Sequence, residues 1–338
     1  IDRIRKGLMD GLPWYTEERV RKATHPKVLL PGANSVIALA MGYLSEPKKS
    51  FGGTRGRVAR YAWGYDYHEI LKTRLKEFVK GLSEAVGREL NSRIFVDDGP
   101  MNDRAAAERS GVAWFGKNTN VITPSHGSWV LLGQVITDLR LKPDKPLEKN
   151  CGTCVQCMVD CPTGAIVAPY VIDNTKCISF FTIELRGVIP REMRSLIGDW
   201  VFGCDICQEV CPPNRKVEMG SEPGFKERHN FAAPQLLPLL DLSDEGFQVM
   251  FRKSPIKRAK KVGLQRNVCV ALGNIGDQVA VPKLISTLNN SEPLVRLHAA
   301  WALGKIGGDM AVQALRSSIS TEKDHEVLEE IRMSLSQI

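Results

Sequence analysis

The feature that most constrains this chain is a run of closely spaced cysteines, CGTCVQCMVDCP, at residues 151–162. Two, two and three residues separate its members, and a proline follows the last of them: Cys151, Cys154, Cys157 and Cys161. A single Cys177 and a second group, CDICQEVCPP at residues 204–213, add four more. Eight clustered cysteines make two sets of four, and they predict metal ligands rather than disulfide bonds in a protein that we expect to be cytoplasmic.

The spacing of these cysteines is that of a bacterial two-cluster ferredoxin, in which the cysteine before the proline ligates the other cluster. We therefore assign one [4Fe–4S] cluster to Cys151, Cys154, Cys157 and Cys211, and a second to Cys161, Cys177, Cys204 and Cys207. Two structural zinc sites are the alternative, but zinc does not account for the C-x-x-x-C-P endings. The ninth cysteine, Cys269, lies at a core-like position and is expected to be an ordinary buried thiol.

The region before the cysteines has the pattern of an α/β structure. Residues 35–41 and 93–96 are strand-like, and apolar residues spaced along one face predict a helix from Tyr67 onward. A short helix is predicted to begin after the capping residue Asn102 and to stop at Gly111. Residues 120–137 are typical of two strands joined by the turn PSHG.

The C-terminal region contains an internal repeat. The segment Ala-Leu-Gly at residues 271–273 recurs 31 residues later at residues 302–304, within RNVCVALGNIGD and RLHAAWALGKIGG. A helical unit of this period predicts a short α-solenoid that resembles HEAT-like repeats. We predict an α+β protein with an α/β domain at residues 1–145, a ferredoxin-like domain with two clusters at 146–225 and a helical domain at 226–338.

Several common sites and signals are missing from the sequence. No run approaches eighteen uncharged apolar residues, so no membrane span is predicted. The first residues lack the apolar core of a signal peptide and an initiator methionine, and are expected to lie inside a longer reading frame. The segment GGTRG (52–56) is no dinucleotide fingerprint, and DYHEIL (66–71) has Leu71 where the cobalamin-histidine motif D-x-H-x-x-G needs glycine.

Longer segments carry a resemblance to a known family. These are KVLLPGANSVIALAM, RYAWGYDYHEIL and FVDDGPMNDRAAAERSGVAWFGKNTNVITPSHGSWVLLGQVIT, followed by the two cysteine groups and the repeats. Together they resemble epoxyqueuosine reductase over essentially the whole chain, and DRAAAERSG, GKNTN and the cysteine spacing are the most specific parts. The resemblance implies reduction of the epoxide of epoxyqueuosine, at the wobble position of tRNA anticodons, to the alkene of queuosine.

The resemblance also implies the cofactors and partners. They are two [4Fe–4S] clusters and one cobalamin, bound without a protein histidine on cobalt, in a nitroreductase-like first domain. The expected partners are the anticodon stem-loop of queuosine-type tRNAs and an external low-potential electron donor. No membrane is expected, and nothing in the sequence demands more than a monomer.

By the motifs of this family, the general acid is Asp97, the first aspartate of FVDDGP. The same resemblance implies that cobalamin contacts Ala59, Arg60, Tyr61, Asp97, Val121, Leu132, Ser179 and Asp205. Without the resemblance, Asp97 or Asp98 is more readily explained as a cap of the turn before Gly99. At the position of Asp98 the family has a small residue. Asp103 is expected to stabilise the start of its helix through the helix dipole or to contact Arg104.

A basic segment, FRKSPIKRAKKVGLQRN (251–267), precedes the repeats in a chain of net charge +8. Such runs are usually solvated surface, but their place beside a solenoid favours contact with RNA phosphates. The residues proposed to contact tRNA are Arg252, Lys257, Arg258, Lys260, Lys261 and Arg266.

Two other functions compete with this interpretation. A reductive dehalogenase-like enzyme also pairs cobalamin with two clusters, but it normally carries an export signal and no basic solenoid. A ferredoxin-like electron carrier with a docking tail for RNA or protein is the non-catalytic alternative, and it leaves the α/β region without a role.

Overall fold

The computed structural model of the protein describes residues 1–46 and 53–338. The backbone packs into two compact units, each made of three segments. The first unit comprises residues 1–46, 64–175 and 205–226, and the described residues of the second are 53–63, 176–204 and 227–338. Both units draw on the cysteine-bearing region, and the division into three domains stays a prediction. The segment GGTRG, in which we predict no dinucleotide site, begins at Gly52, outside the described residues.

The α-helices of the described chain, in order, are α1 (Asp2–Arg5), α2 (Glu17–Ala23), α3 (Pro26–Leu29), α4 (Tyr67–Val86), α5 (Asp103–Arg109), α6 (Gln156–Val159), α7 (Arg191–Ile197), α8 (Ile206–Glu209), α9 (Asp244–Met250), α10 (Lys260–Ile275), α11 (Val281–Thr287), α12 (Pro293–Ile306), α13 (Asp309–Ser318) and α14 (His325–Leu335). The strands are β1 (Ser35–Gly42), β2 (Arg57–Val58), β3 (Ser92–Phe95), β4 (Trp114–Phe115), β5 (Val121–Ile122), β6 (Val130–Thr137), β7 (Ile166–Ala168), β8 (Val171–Ile172) and β9 (Trp200–Phe202). Within these ranges, no helix is both long and apolar enough to cross a membrane.

The centre of the first unit is a three-stranded antiparallel sheet in the order β1-β6-β3. Ser35 of β1 and Ser92 of β3 both face Thr137 of the central strand β6. Helices α4 and α5 pack against this sheet. Gly133 lets α4 approach closely, because a Cβ there would lie 2.7 Å from Leu75 Cδ1.

Most of the local predictions for this unit are confirmed. The strands predicted at 35–41 and 93–96 are β1 and β3, and the predicted long helix is α4. Asp66 caps α4 by accepting a hydrogen bond from the His68 main-chain N–H, and Gly87 ends it with φ of 70°. Asn102 caps α5 in the same way, since its side chain accepts from the Ala105 N–H.

The two strands and the turn predicted for residues 120–137 are confirmed, but the strands do not continue as a paired hairpin. Both strands form, but β5 pairs with β4, whereas β6 pairs with β1 and β3. One bridge, between Thr123 and Gly127, spans the turn. The strands separate beyond this bridge because the Ser128 N–H donates to Asn214 Oδ1 at 2.8 Å instead of to β5.

The second unit contains the predicted repeats as helices α10 to α14. The repeated glycines explain how these helices pack, because α12 contacts both α10 and α14. A Cβ at Gly273 would lie 2.7 Å from the Trp301 ring, and one at Gly304 would lie 2.5 Å from Ser334 Cβ. Cys269 is fully buried in α10, as predicted for a core thiol.

Candidate functional site

The first set of cysteines lies within the first unit. Its four members line a cavity of about 130 Å³ that also has Trp114 and Ile122 in its wall: Cys151, Cys154, Cys157 and Cys211. The Cys154 N–H donates to the Cys151 carbonyl at 3.0 Å and closes a tight turn, after which α6 carries Cys157. The cavity is therefore bounded by thiols from two distant stretches of sequence.

The chemistry of this cavity suits a metal group held by thiolates. Burial, followed by the nearby Cys151 and Cys157, raises the pKa of the Cys211 thiol to about 11. A bound metal favours the thiolate form of such a thiol. Four cysteines around one cavity are the donor set of a [4Fe–4S] cluster, and a structural zinc site can share it.

The second set of cysteines is divided between the units. Cys161 and Cys207 belong to the first unit, and Cys177 and Cys204 belong to the second. In the first unit, Cys161 Sγ lies 3.6 Å from Thr163 Oγ1, and Cys207 Sγ lies 3.9 Å from Asn120 Nδ2. Two of the predicted ligand sulfurs therefore have a polar side chain of the first unit beside them.

The loop after β3 carries Asp97 and Asp98, and it gives the two carboxylates different partners. Asp97 has φ of 50°, and its Oδ2 accepts a hydrogen bond from the Tyr67 hydroxyl at 2.7 Å. Asp98 Oδ1 accepts from the Val96 N–H at 3.0 Å, and its carboxylate pairs with Lys72. The turn-capping hydrogen bond is thus made by Asp98, and α4 contributes a side chain to each aspartate.

Asp103, at the start of α5, was expected only to favour the helix or contact Arg104. The Arg104 guanidinium instead donates to the Thr119 carbonyl at 2.8 Å. Burial, and then the charge of Asp97, raises the pKa of the Asp103 carboxyl to about 7. Sequence reasoning missed this acidic pair, because five residues and a turn separate its members and only the folded loop brings them close.

Of the residues predicted for cobalamin, four lie in the first unit: Asp97, Val121, Leu132 and Asp205. Val121 and Asp205 are buried, in β5 and directly before α8, and Leu132 lies partly buried in β6. Asp205 Oδ1 accepts a hydrogen bond from Gln208 Nε2 at 3.4 Å. A plain core position accounts for the burial of Val121 equally well.

The other four predicted cobalamin residues lie in the second unit: Ala59, Arg60, Tyr61 and Ser179. Arg60 lies over the Trp63 ring, with 4.9 Å between its guanidinium carbon and the ring centre. Tyr61 packs against Phe202, and a Cβ on Gly203 would lie 2.5 Å from Ala59 Cβ. The Gly203 N–H also donates to Thr182, three residues after Ser179, so this unit gathers residues 59–61, the π-helical segment Phe180–Glu184 and the end of β9.

The basic segment before the repeats is only partly a charged surface. Arg252, Arg258 and Lys260 are exposed, and Lys257 and Lys261 are half-buried. Arg258 Nε lies 3.0 Å from both carboxylate oxygens of Glu184, and Lys261 pairs with Asp244 at 3.0 Å.

The prediction that Arg266 contacts tRNA is wrong. Its side chain is 1% exposed, and its guanidinium donates to the carbonyls of Phe181, Leu185 and Gly187. A side chain buried against three main-chain oxygens does not reach a phosphate. Arg266 is a structural residue of the second unit, and the proposed RNA surface is reduced to the five remaining positions.

Three family models match the chain. The model for epoxyqueuosine reductase QueG, DUF1730 matches residues 24–98, that for a 4Fe-4S double cluster binding domain matches 150–214, and that for HEAT repeats matches 257–336. The epoxyqueuosine reductase of Bacillus cereus is 40% identical over 326 residues, which are 95% of this chain and 85% of that protein. That of Escherichia coli K12 is 39% identical over 90% of this chain and 80% of its own length.

Solved structures give the same result. A crystal structure of epoxyqueuosine reductase with an epoxyqueuosine-modified tRNA-Tyr stem loop has a TM-score of 0.92 and 35% identity, covering 99% of this chain and 90% of that one. The Bacillus subtilis structure, described with its catalytic aspartate loop swung out of the active site, has a TM-score of 0.92 and 34% identity. It covers 100% of this chain and 91% of that chain.

Proposed function

Because the chain belongs to the epoxyqueuosine reductase family, we propose that it reduces the epoxide of epoxyqueuosine in tRNA to the alkene of queuosine. The reaction consumes two electrons and two protons and releases the epoxide oxygen as water. The observation that carries the proposal is the match over 99% of the chain to the structure that holds an epoxyqueuosine-modified stem loop. A match of this extent includes the cysteine region, the α/β region and the repeats alike.

The electrons are supplied through two [4Fe–4S] clusters in this proposal. Four thiols around one cavity support the first ligand set, and the order of the cysteines along the chain supports Cys161, Cys177, Cys204 and Cys207 as the second. Two clusters on one chain pass electrons singly, so two electrons are available for each epoxide. An external low-potential donor is required to reload them.

Cobalamin is the second proposed cofactor, the first domain is proposed to be nitroreductase-like, and the family resemblance implies the eight contact residues named above. The residues present suit such a group, since Tyr61 and the small Ala59 lie beside Gly203, and Arg60 stands between them in sequence. When bound, cobalamin supplies a low-valent cobalt centre that is a strong nucleophile toward carbon. The chain itself supplies the proton and the orientation.

The proposed source of the proton is Asp97. Its carboxylate is held by the Tyr67 hydroxyl, and Asp98 and Lys72 hold the adjoining turn to the same helix. A general acid must be positioned within hydrogen-bond reach of the leaving oxygen, and this double attachment fixes the loop that bears it.

The proposed RNA partner is the anticodon stem-loop of queuosine-type tRNAs. Exposed cations before the repeats, with Arg252 and Lys260 foremost, support contact with its phosphates. Cytoplasmic location and a monomeric state belong to the same proposal.

Two measurements test the function. Absorption spectra of the reconstituted protein with cobalamin are expected to show a bound base-off cob(II)alamin band over the iron–sulfur shoulder, and its absence would favour an electron carrier. Conversion of epoxyqueuosine to queuosine in tRNA, assayed by mass spectrometry of digested nucleosides, separates the reductase from a dehalogenase-like enzyme.

Substitution of the two neighbouring aspartates sharpens this test. Asp97→Asn is expected to abolish conversion with both cofactors retained, because an amide is too weakly acidic to transfer a proton to the leaving oxygen. Asp98→Asn is the matched control, since it removes a carboxylate one residue away and keeps the acceptor for the Val96 N–H. Full activity in Asp97→Asn would show that another group supplies the proton.

A further inference from the structure

The segment GKNTN, residues 116–120, is a closed turn between β4 and β5 of the first unit. The Gly116 N–H donates to the Asn120 carbonyl at 2.8 Å, and the Asn120 N–H donates to Asn118 Oδ1 at 3.2 Å. Gly116 is required for this closure, because a Cβ there would lie 2.6 Å from the same Asn118 oxygen. The turn therefore presents its side chains in fixed directions.

One side chain of the turn reaches the first set of cysteines. Lys117 Nζ donates to the carbonyl of Gly152, between Cys151 and Cys154, at 2.8 Å. Lys117 also lines the cavity that these cysteines surround. The ammonium group thus lies at the wall of the site that the first set surrounds.

Two other side chains of the turn reach a ligand of the second set. Asn118 Nδ2 donates to the Cys207 carbonyl at 3.0 Å and holds the main chain of that residue. Asn120 Nδ2 donates to Cys207 Sγ at 3.9 Å, a distance within the range for hydrogen bonds to sulfur. The turn therefore contacts both cysteine sets through different residues.

Reduction of an iron–sulfur cluster adds negative charge that is shared by its sulfur atoms. A cation or a hydrogen-bond donor beside those atoms stabilises the reduced state more than the oxidised state. Net charge and hydrogen bonds to the sulfurs are accordingly among the properties that set the potentials of such clusters. Removing either interaction lowers the potential of the cluster concerned.

We propose that the 116–120 turn sets the potentials of the two clusters separately. Lys117 raises the potential of the cluster held by the Cys151 set, and Asn120 raises that of the cluster that Cys207 helps to hold. The inference rests on the proposed ligand sets, and it gives this family-specific motif a role in electron delivery. Both residues act through the ligands and are not themselves ligands.

The test is an anaerobic redox titration of the reconstituted full chain, followed by electron paramagnetic resonance without cobalamin or tRNA. Lys117→Met removes the charge, and Asn120→Leu removes the donor at similar volume. Each variant is expected to lower the midpoint potential of one cluster. The expected shift corresponds to about a threefold to tenfold decrease in the equilibrium constant for its reduction, where tenfold is about 59 mV for one electron. The other midpoint stays at its wild-type value and serves as the internal control.

The conservative variant Lys117→Arg keeps the charge and is expected to keep the wild-type potential. Asn120→Ser and Lys117→Gln repeat the comparison with smaller changes, in case a larger one impairs cluster assembly. The inference would be overturned if both clusters are loaded and neither midpoint potential moves. It would also be overturned if either variant shifts both midpoint potentials equally.

Iron and sulfide analysis tests the proposed ligand sets separately, because fewer than two clusters in the wild-type protein would overturn those sets.

Discussion

Replacing Asp103 by asparagine is expected to stabilise the protein at neutral pH and above, with a gain that shrinks as the pH falls toward about 4. In the wild-type chain, burial and then the charge of Asp97 raise the pKa of the Asp103 carboxyl from 3.8 to about 7. Asp98 adds to the repulsion, whereas the Asp97 main-chain N–H and the Arg104 guanidinium oppose it. Asparagine keeps the shape of the side chain and an acceptor oxygen but carries no charge.

The sign of the effect follows from proton linkage. A carboxyl whose pKa is higher in the folded state binds more protons there than in the unfolded chain, so its contribution to stability is lost as pH rises between the two values. Between 3.8 and about 7, the loss is about 4 kcal/mol at 1.36 kcal/mol per pH unit. Since the side chain is only partly buried, solvent screening is expected to reduce this to about 2 kcal/mol.

The assay is urea unfolding of the wild type and Asp103→Asn at several values between about pH 5 and pH 8. The difference in unfolding free energy is expected to grow in favour of the variant as pH rises. Asp138→Asn is the control, because Arg88 lowers the pKa of the Asp138 carboxyl and its removal gives no gain at high pH. A difference between wild type and Asp103→Asn that stays constant over this range would refute the assignment of a neutral-pH proton to Asp103.

Three other changes test separate parts of the structure. Glu330→Gln is expected to lower the unfolding free energy by about 3–5 kcal/mol, because it leaves the buried Arg194 guanidinium without its counter-charge. A decrease of less than about 1 kcal/mol in urea unfolding, as for an exposed ion pair, would contradict this. Asp98→Asn removes the ion pair with Lys72. It is expected to reduce kcat on saturating tRNA by no more than about fivefold, since half-exposed ion pairs contribute about 1 kcal/mol or less. Loss of all activity would mean that Asp98 is the general acid. Lys260→Glu is expected to weaken tRNA binding in filter assays and to make that binding less dependent on salt, with no change in iron content. Unchanged affinity would show that the basic segment does not contact the RNA.

The parts of the fold that could be predicted from the sequence are those in which neighbouring residues determine the outcome. Helix α4 follows from its apolar spacing and from Asp66 and Gly87 at its ends. The first cysteine set follows from ligand spacing, because three thiols in one short loop already define most of a cluster site. The pairing of β5 could not be predicted in this way, since Asn214, almost ninety residues away, takes the Ser128 N–H.

The candidate site shows the same limit. The sequence identifies the charged residues of the basic segment, but it does not reveal which of their side chains binds buried main-chain carbonyl groups. Arg266 faces three of them, about eighty residues away in the chain. The separate roles of Asp97 and Asp98 likewise depend on Tyr67 and Lys72, which approach from a helix that ends before β3 begins.

The burial of Arg266 has a consequence for how the second unit works. Residues 178–203 are the long insertion between Cys177 and Cys204, and the stretches before and between α7 and β9 have main-chain carbonyl groups that need donors. Arg266 supplies hydrogen bonds to three of these, and Asn267 Nδ2 donates to the carbonyls of Thr182 and Val201 at 2.8 and 2.9 Å. Helix α10 therefore holds the π-helical segment Phe180–Glu184, which directly follows Ser179, against the first repeat. A shift of this helix is expected to displace that segment and Ser179, the residue proposed to contact cobalamin.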